Sequence, residues 1–266
     1  IMESYSKEYI GFYNKGNGST PFLDSLMHHS LVFTNAYANG LKSIEALPAI
    51  TASIPTLMTN PFITSNFAQN KFESLASLLN DEGYNTSFFH GAPNGSMGFK
   101  ALVNLLGVEH YYGKDEYNND NDFDGTWGIW DEPFLQFFAN QLDSFPEPFQ
   151  STLFSVSSHE PFEVPAKYKN VFPKGEHPIR EVTGYSDYAL RKFFDQIRKK
   201  PWFKRTLFVI TADHASISYH PTYQTAWGNM AIPIFFYHPS DSLQAYLPGN
   251  VQQTDIMPSV LGYLGY

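Results

Sequence analysis

"FVITADHAS", residues 208–216, runs from an apolar stretch into two adjacent polar side chains. Residues 206–211 (TLFVIT) are apolar and rich in β-branched side chains, as in a strand covered on both faces. Asp213 and His214 follow at its carboxyl end. In open α/β sheets, ligands bind at that edge. An adjacent Asp-His pair there can offer a carboxylate and an imidazole to one ion. A solvated loop with two polar residues is the alternative.

Outward from this strand, the chain alternates strand and helix. Residues 1–3 read as a strand end. Ser19-Thr20-Pro21 opens a helix to about residue 29, with proline at its first position. Strands are expected at 31–38, 85–90, 151–159 and 232–238. Helices are expected at 43–53, interrupted or kinked near Pro48, and at 72–81, stopped by Gly83. Further helices are expected at 99–106, 132–142, 187–199 and 255–264. The Asn- and Asp-rich stretch 115–124 reads as a surface loop. This alternation predicts an α/β three-layer sandwich, a mostly parallel central sheet with helices on both faces. No repeat, low-complexity linker or second boundary stands out, so residues 1–266 read as a single catalytic domain.

Composition narrows the function. The 266 residues carry a net charge of −9 and no long basic run, so nucleic acid is not an expected partner. An acidic protein that handles anionic groups needs local positive charge, and a metal cation supplies it. There is no Cys, which excludes disulfides, thiolate nucleophiles and Cys-bound zinc. The 24 Phe and 17 Tyr are mostly core filler, with room for sugar or headgroup surfaces. No run reaches the roughly 18–20 apolar residues that span a bilayer, and no signal peptide is visible. The opening "IMESYS" looks like the tail of a strand begun upstream, and "VLGYLGY" stops within a helical pattern. A fragment of a longer, membrane-anchored protein is the expectation.

Several expected strands end on polar groups: Glu3, the Asn39–Ser43 turn, His90, His159, and Asp213 with His214. A parallel sheet collects all of them along one edge. Glu3, Asp213 and His214 supply two carboxylates and an imidazole, a set suited to one divalent metal such as Mn²⁺, Mg²⁺ or Zn²⁺. Ser43, in "ANGLKSIEALP", is a candidate fourth ligand at a helix start. There the helix favours anions and Lys42 adds charge. A metal-bound serine hydroxyl is acidified and can attack phosphorus. A plain N-cap is the competing role for Ser43.

These residues, with "IMES" at Glu3, "NGLKSIEALP" at Ser43, "FFHG" at His90, "WGIWDEPFL" from Trp127, "SSHEPF" at His159, "GYSDYALRKFF" from Gly184, "ADH" at Asp213 and "QQTDIMPSVLGYLG" near the end, resemble a known family. It is the lipoteichoic-acid-synthase-like branch of the alkaline phosphatase and sulfatase superfamily. The resemblance covers nearly the whole chain. It implies an extracytoplasmic enzyme, anchored in the membrane by segments absent here. It implies transfer of a phosphoglycerol-type group from an anionic phospholipid donor to a glycan or polymer acceptor. By position, Glu3, Ser43, Asp213 and His214 would hold one metal, commonly manganese. Ser43 would be the nucleophile, where the best-known members use Thr, and would form a phospho-alcohol intermediate. His159 would lie near the phosphate or leaving group as acid or base, and His90 in the substrate pocket. Lys42 would add charge there.

One segment departs from the pattern. The synthases carry charged and aromatic pocket residues after "FFH", whereas this chain has "GAPNGSMGF", so Asn94 or Met97 is expected to face the substrate instead. Trp127 is expected to stack on a headgroup or sugar, with packing as the alternative. Ser43 is followed by Ile44-Glu45-Ala46-Leu47, which does not match the formylglycine maturation signal of sulfatases. Asp187 is followed four residues on by Arg191, not His, which argues against a second metal. A single-metal phosphodiesterase or sulfatase-like hydrolase, a phosphoethanolamine transferase, and a glycan-binding module without catalysis are the alternative readings.

Overall fold

Pro21 opens the first helix, α1 (Pro21–Met27), at a position that needs no backbone donor. The structure, a computed structural model, describes residues 1–266. The chain continues through β1 (Leu31–Tyr37) into α2 (Ser43–Ala52), α3 (Leu75–Asp81), β2 (Asn85–His90), α4 (Phe99–Leu105), β3 (His110–Tyr112) and the short α5 (Lys114–Tyr117). Then follow α6 (Asp131–Leu142), β4 (Phe149–Phe154), α7 (Ile179–Ile197), β5 (Phe208–Thr211), β6 (Ile234–Tyr237), β7 (Ala245–Gln252) and α8 (Ile256–Leu264).

Local chemistry sets several boundaries differently from the sequence reading. Helix α2 passes through Pro48 unbroken and ends where Ser53 turns left-handed at φ 53°. Helix α3 starts at Leu75 rather than at residue 72, because the Ser74 hydroxyl accepts the Ser77 N–H at 3.0 Å in a reciprocal capping box. Helix α7 begins eight residues before Asp187, and the expected loop at 115–124 contains α5 and a short 3₁₀ turn. Strand β4 ends at Phe154, where the polar run toward His159 leaves the sheet.

Two three-dimensional facts place the functional edge. First, β3-β2-β4 form one sheet and β5-β6-β1-β7 another, and residues 1–2 join them. The Ile1 ammonium donates to Leu153 O at 2.7 Å, and Ser155 N–H donates to Ile1 O. On the other side, Met2 N–H donates to Thr211 O, and Met2 bridges Ala212 in parallel. Second, β2–β3, β2–β4 and β1–β7 are parallel, while β6 is antiparallel to both β5 and β1. Strand β6 alone therefore runs against the others, and all other strands end at one edge.

Successive strand residues face opposite sides of the sheet. Phe88 packs with Leu47 and Phe99, while its neighbour Phe89 packs with Phe138. Helices α1, α6 and α7 accordingly pack together on one face, and α2, α3 and α8 on the other. Away from the functional edge, β4 and β5 flank an apolar groove of about 610 Å³, walled by Phe138, Phe193, Phe194 and Trp202.

Candidate metal and phosphoryl site

Glu3 leaves the sheet directly after Met2 and is buried. Its N–H donates to Ser155 Oγ at 2.9 Å, and its carbonyl accepts the Ser158 hydroxyl. Its carboxylate accepts Ser4 Oγ at 2.6 Å and Ser43 Oγ at 3.2 Å. Asp213, fully buried, accepts the N–H groups of Ser4 and His214 on Oδ1, both at 2.7 Å. Its Oδ2 has no hydrogen-bond partner. Ser4 is held at φ 58°, a left-handed conformation that a non-glycine residue adopts at a cost. In this conformation its N–H donates to Asp213 Oδ1.

His214 Nδ1 lies 2.9 Å from the Ala215 carbonyl. A carbonyl only accepts, so Nδ1 carries the hydrogen and Nε2 presents a lone pair to the cluster. That Nε2 is 3.2 Å from Asp213 Oδ2, 3.4 Å from Ser43 Oγ and 3.7 Å from Glu3 Oε1. Ligand atoms of Glu3, Asp213 and His214 all lie within 4.8 Å of one another. Burial and then the Asp213 charge push the Glu3 carboxyl well above its ordinary range. Neither carboxylate pairs with lysine or arginine. Two buried acids, an orphaned carboxylate oxygen and an imidazole with its far nitrogen tied to a carbonyl are what a divalent cation requires. The residues fit the expected metal.

Ser43 is the first residue of α2, and Lys42 precedes it in extended backbone with its side chain exposed. The turn before it is held by Glu45, whose carboxylate accepts Leu41 N–H at 2.9 Å. A Cβ at Gly40 would stand 2.3 Å from Glu45 Oε2, so only glycine permits that approach.

A small pocket, about 30 Å³, opens beside Glu3 and is lined by His90, Ser96, Met97, Trp127 and His159. His90 ends β2. Its Nδ1 donates to Phe154 O at 3.1 Å, and its buried Nε2 has no partner. Burial lowers its pKa to about 4, so the ring is neutral and Nε2 accepts. His159 Nδ1 donates to Glu160 O at 2.9 Å, and the Trp127 ring lies 3.9 Å from the His159 ring.

Asn94 points elsewhere. Its amide nitrogen is 2.9 Å from both Glu116 oxygens and braces the start of α5, so it is not brought into the pocket, whereas Met97 is. Asp187 accepts the N–H groups of Phe22 and Leu23 at the head of α1, and the Glu3, Asp213 and His214 group stands as the one metal-type cluster.

The sequence reading missed the residues that brace the site. Ser4, Ser155 and Ser158 hold Glu3. Gln253 donates to the Ala212 and Asp213 carbonyls at 2.9 and 2.6 Å and accepts Asn39 N–H. Asp131 accepts Val156 and Ser157 N–H and the Ser186 hydroxyl. Only adjacency to strand ends could have flagged them.

The chain is 25% identical over 211 residues to the lipoteichoic acid synthase-like YvgJ of Bacillus subtilis, covering 76% of this chain and 34% of that protein. It is 25% identical over 227 residues to phosphoglycerol transferase I of Escherichia coli, covering 78% and 29%. The chain thus spans about a third of the length of these curated relatives. The crystal structure of an alkaline phosphatase superfamily protein from Vibrio parahaemolyticus superposes with a TM-score of 0.87 at 27% identity, over 100% of this chain and 65% of that one. The fold is that of the alkaline phosphatase superfamily, as its motifs implied. The Sulfatase family matches residues 1–266 throughout, and the chain belongs to that family of transferase and hydrolase enzymes.

Proposed function

We propose that residues 1–266 form one catalytic unit that transfers a phosphoglycerol-type group from an anionic phospholipid to a hydroxyl of a glycan or polymer. The observation that carries this is the placement of the Ser43 hydroxyl at the head of α2, 3.2 Å from Glu3 Oε2 and 3.4 Å from His214 Nε2. The relatives' names point the same way, and action at the outer face of the cytoplasmic membrane goes with such donors. No helix of the structure is long and apolar enough to cross a membrane.

Glu3, Ser43, Asp213 and His214 would hold one divalent cation, manganese first, with magnesium or zinc as alternatives. When bound, such an ion supplies charge stabilisation at phosphoryl oxygens and acidifies a hydroxyl beside it. Ser43 donates its hydrogen bond toward Glu3, which leaves an oxygen lone pair for attack. The N-terminus of α2 and Lys42 favour the anionic phosphodiester. In the first step the Ser43 hydroxyl passes its proton to Glu3 Oε2 as the Ser43 Oγ–P bond forms and the P–O bond to diacylglycerol breaks. His159, with Nδ1 tied to Glu160 O, enters this step protonated on both ring nitrogens and gives the Nε2 proton to the leaving alkoxide. In the second step His159 Nε2 takes the proton of the acceptor hydroxyl, the new P–O bond forms, the Ser43 Oγ–P bond breaks, and Glu3 returns the proton to Ser43 Oγ. The neutral His90 Nε2 accepts a hydrogen bond from a headgroup hydroxyl.

The test is intact mass after incubating metal-loaded protein with phosphatidylglycerol, beside Ser43→Ala, with diacylglycerol release read in parallel. A gain of one phosphoglycerol on wild type, absent from the variant, is expected. No adduct and no diacylglycerol, with metal bound, would remove this donor. Diacylglycerol with free glycerol phosphate and no acceptor product would make the enzyme a hydrolase.

A further inference from the structure

The turn at 123–129 carries more than Trp127. Asp124 Oδ1 accepts three backbone N–H groups, from Thr126 and Trp127 at 2.7 Å and from Gly128 at 3.1 Å. Asp124 N–H returns to Gly128 O at 2.9 Å, and Ile129 N–H donates to Gly91 O at 2.9 Å. Gly91 follows His90, so the turn is pinned to the end of β2. It lies so close that a Cβ at Gly128 would stand 2.6 Å from Gly91 O. The turn therefore has one position, and it aims the indole at His159.

There the Glu160 carbonyl accepts two donors. Trp127 Nε1 reaches it at 2.5 Å and His159 Nδ1 at 2.9 Å. The indole also lies against the imidazole, with ring centroids 3.9 Å apart at 45°. A tryptophan acting only as core filler would be covered, yet Trp127 is 37% exposed and lines the pocket beside Glu3.

We infer that Asp124 and Trp127 are positioning residues for His159. Asp124 sets the turn, the turn sets the indole, and indole and imidazole share one carbonyl oxygen. That arrangement fixes the hydrogen on His159 Nδ1 and keeps Nε2 as the nitrogen available to the reaction. The inference rests on the role proposed for His159, but its structural half can be read without turnover.

The experiment uses the whole chain, loaded with diamagnetic Mg²⁺ and labelled with ¹⁵N-histidine. Long-range proton–nitrogen NMR reports which ring nitrogen of His159 bears hydrogen. The variants are Asp124→Ala, Asp124→Asn, Trp127→Phe and His159→Ala for assignment. Asp124→Asn keeps an oxygen that accepts the three N–H groups, while Asp124→Ala removes it. With the ring neutral, wild type and Asp124→Asn are expected to show a single Nδ1–H tautomer of His159. Asp124→Ala is expected to show mixed tautomers and a fall in kcat of about tenfold, with KM changed far less, as for outer partners of other imidazoles. Trp127→Phe keeps the ring but not the indole N–H, and is expected to fall between them. If Asp124→Ala does not fold, Trp127→Phe carries the same readout. An unchanged His159 tautomer in Asp124→Ala and Trp127→Phe would overturn the inference. A changed tautomer with undiminished turnover would instead sink the role given to His159.

Discussion

Asp187 offers a test in which two physical effects pull in opposite directions. Its carboxylate accepts the N–H groups of Phe22 and Leu23, at 2.9 and 2.8 Å, at the head of α1. Those bonds favour the charged form. Burial opposes them and dominates, with the Asp24 charge adding to it, and the pKa rises from 3.8 to about 7. Each unit is worth 1.36 kcal/mol, so ionising Asp187 in the folded protein costs about 4 kcal/mol. The sign follows from proton counting. Below the unfolded value of 3.8 both states hold the proton and the stability is fully present. Between there and about 7 only the folded state keeps it, so stability falls as pH rises, and the loss is complete above that. Asp187→Asn cannot titrate. Urea unfolding of both proteins from pH 4 to pH 8 should therefore show wild-type stability, relative to the variant, declining by about 4 kcal/mol. A difference that is flat or rises with pH would mean that the two N–H bonds outweigh burial at Asp187.

Other consequences are simpler to measure. Asp213→Asn removes one buried carboxylate charge and should weaken Mn²⁺ binding by titration calorimetry at least 100-fold, whereas retained affinity would move the metal elsewhere. Gln253→Ala removes the side-chain partner of the Asp213 carbonyl and of the Asn39 N–H and leaves the Ala212 carbonyl only its Thr211 hydroxyl donor, and should cost about 2–3 kcal/mol in chemical unfolding. His90→Leu keeps an apolar wall but loses the Nε2 acceptor. KM for a hydroxylated headgroup should rise about tenfold or more, and an unchanged KM would take His90 out of recognition.

The strand before Asp213 was legible because an apolar, β-branched run ending in polar residues has few other readings. The shared edge followed from alternation alone, since βαβ units force parallel strands. The missed elements had no such signal. Strand β7 contains Pro248 and Gly249 and pairs across a register shift at Phe33/Asn35, and residues of that kind read as a loop. Strand β3 is three residues long, too short for a period. Gly184 and β-branched Val182 and Thr183 obscured the start of α7, where burial against Phe172 outweighs propensity. Asn94 was placed by its nearness to His90 along the chain, but its side chain turns to Glu116. A side chain's direction is a tertiary fact. So are the roles of Ser4, Ser155 and Ser158, whose hydroxyls have meaning only once Glu3 lies between β4 and β5.

The contacts that hold Glu3 and Ser4 have one more consequence. Ser4 N–H to Asp213 closes a chain segment of 209 residues, and Ser158 to the Glu3 carbonyl closes one of 155. Closures this long are paid for in chain entropy before any contact repays them, and they form late in folding. The site is thus the clasp of the whole chain. Partly folded molecules with intact helices would still lack it. Recovery of metal affinity during refolding should therefore lag recovery of helical signal, and the lag would time the arrival of residues 1–4 between their neighbouring strands.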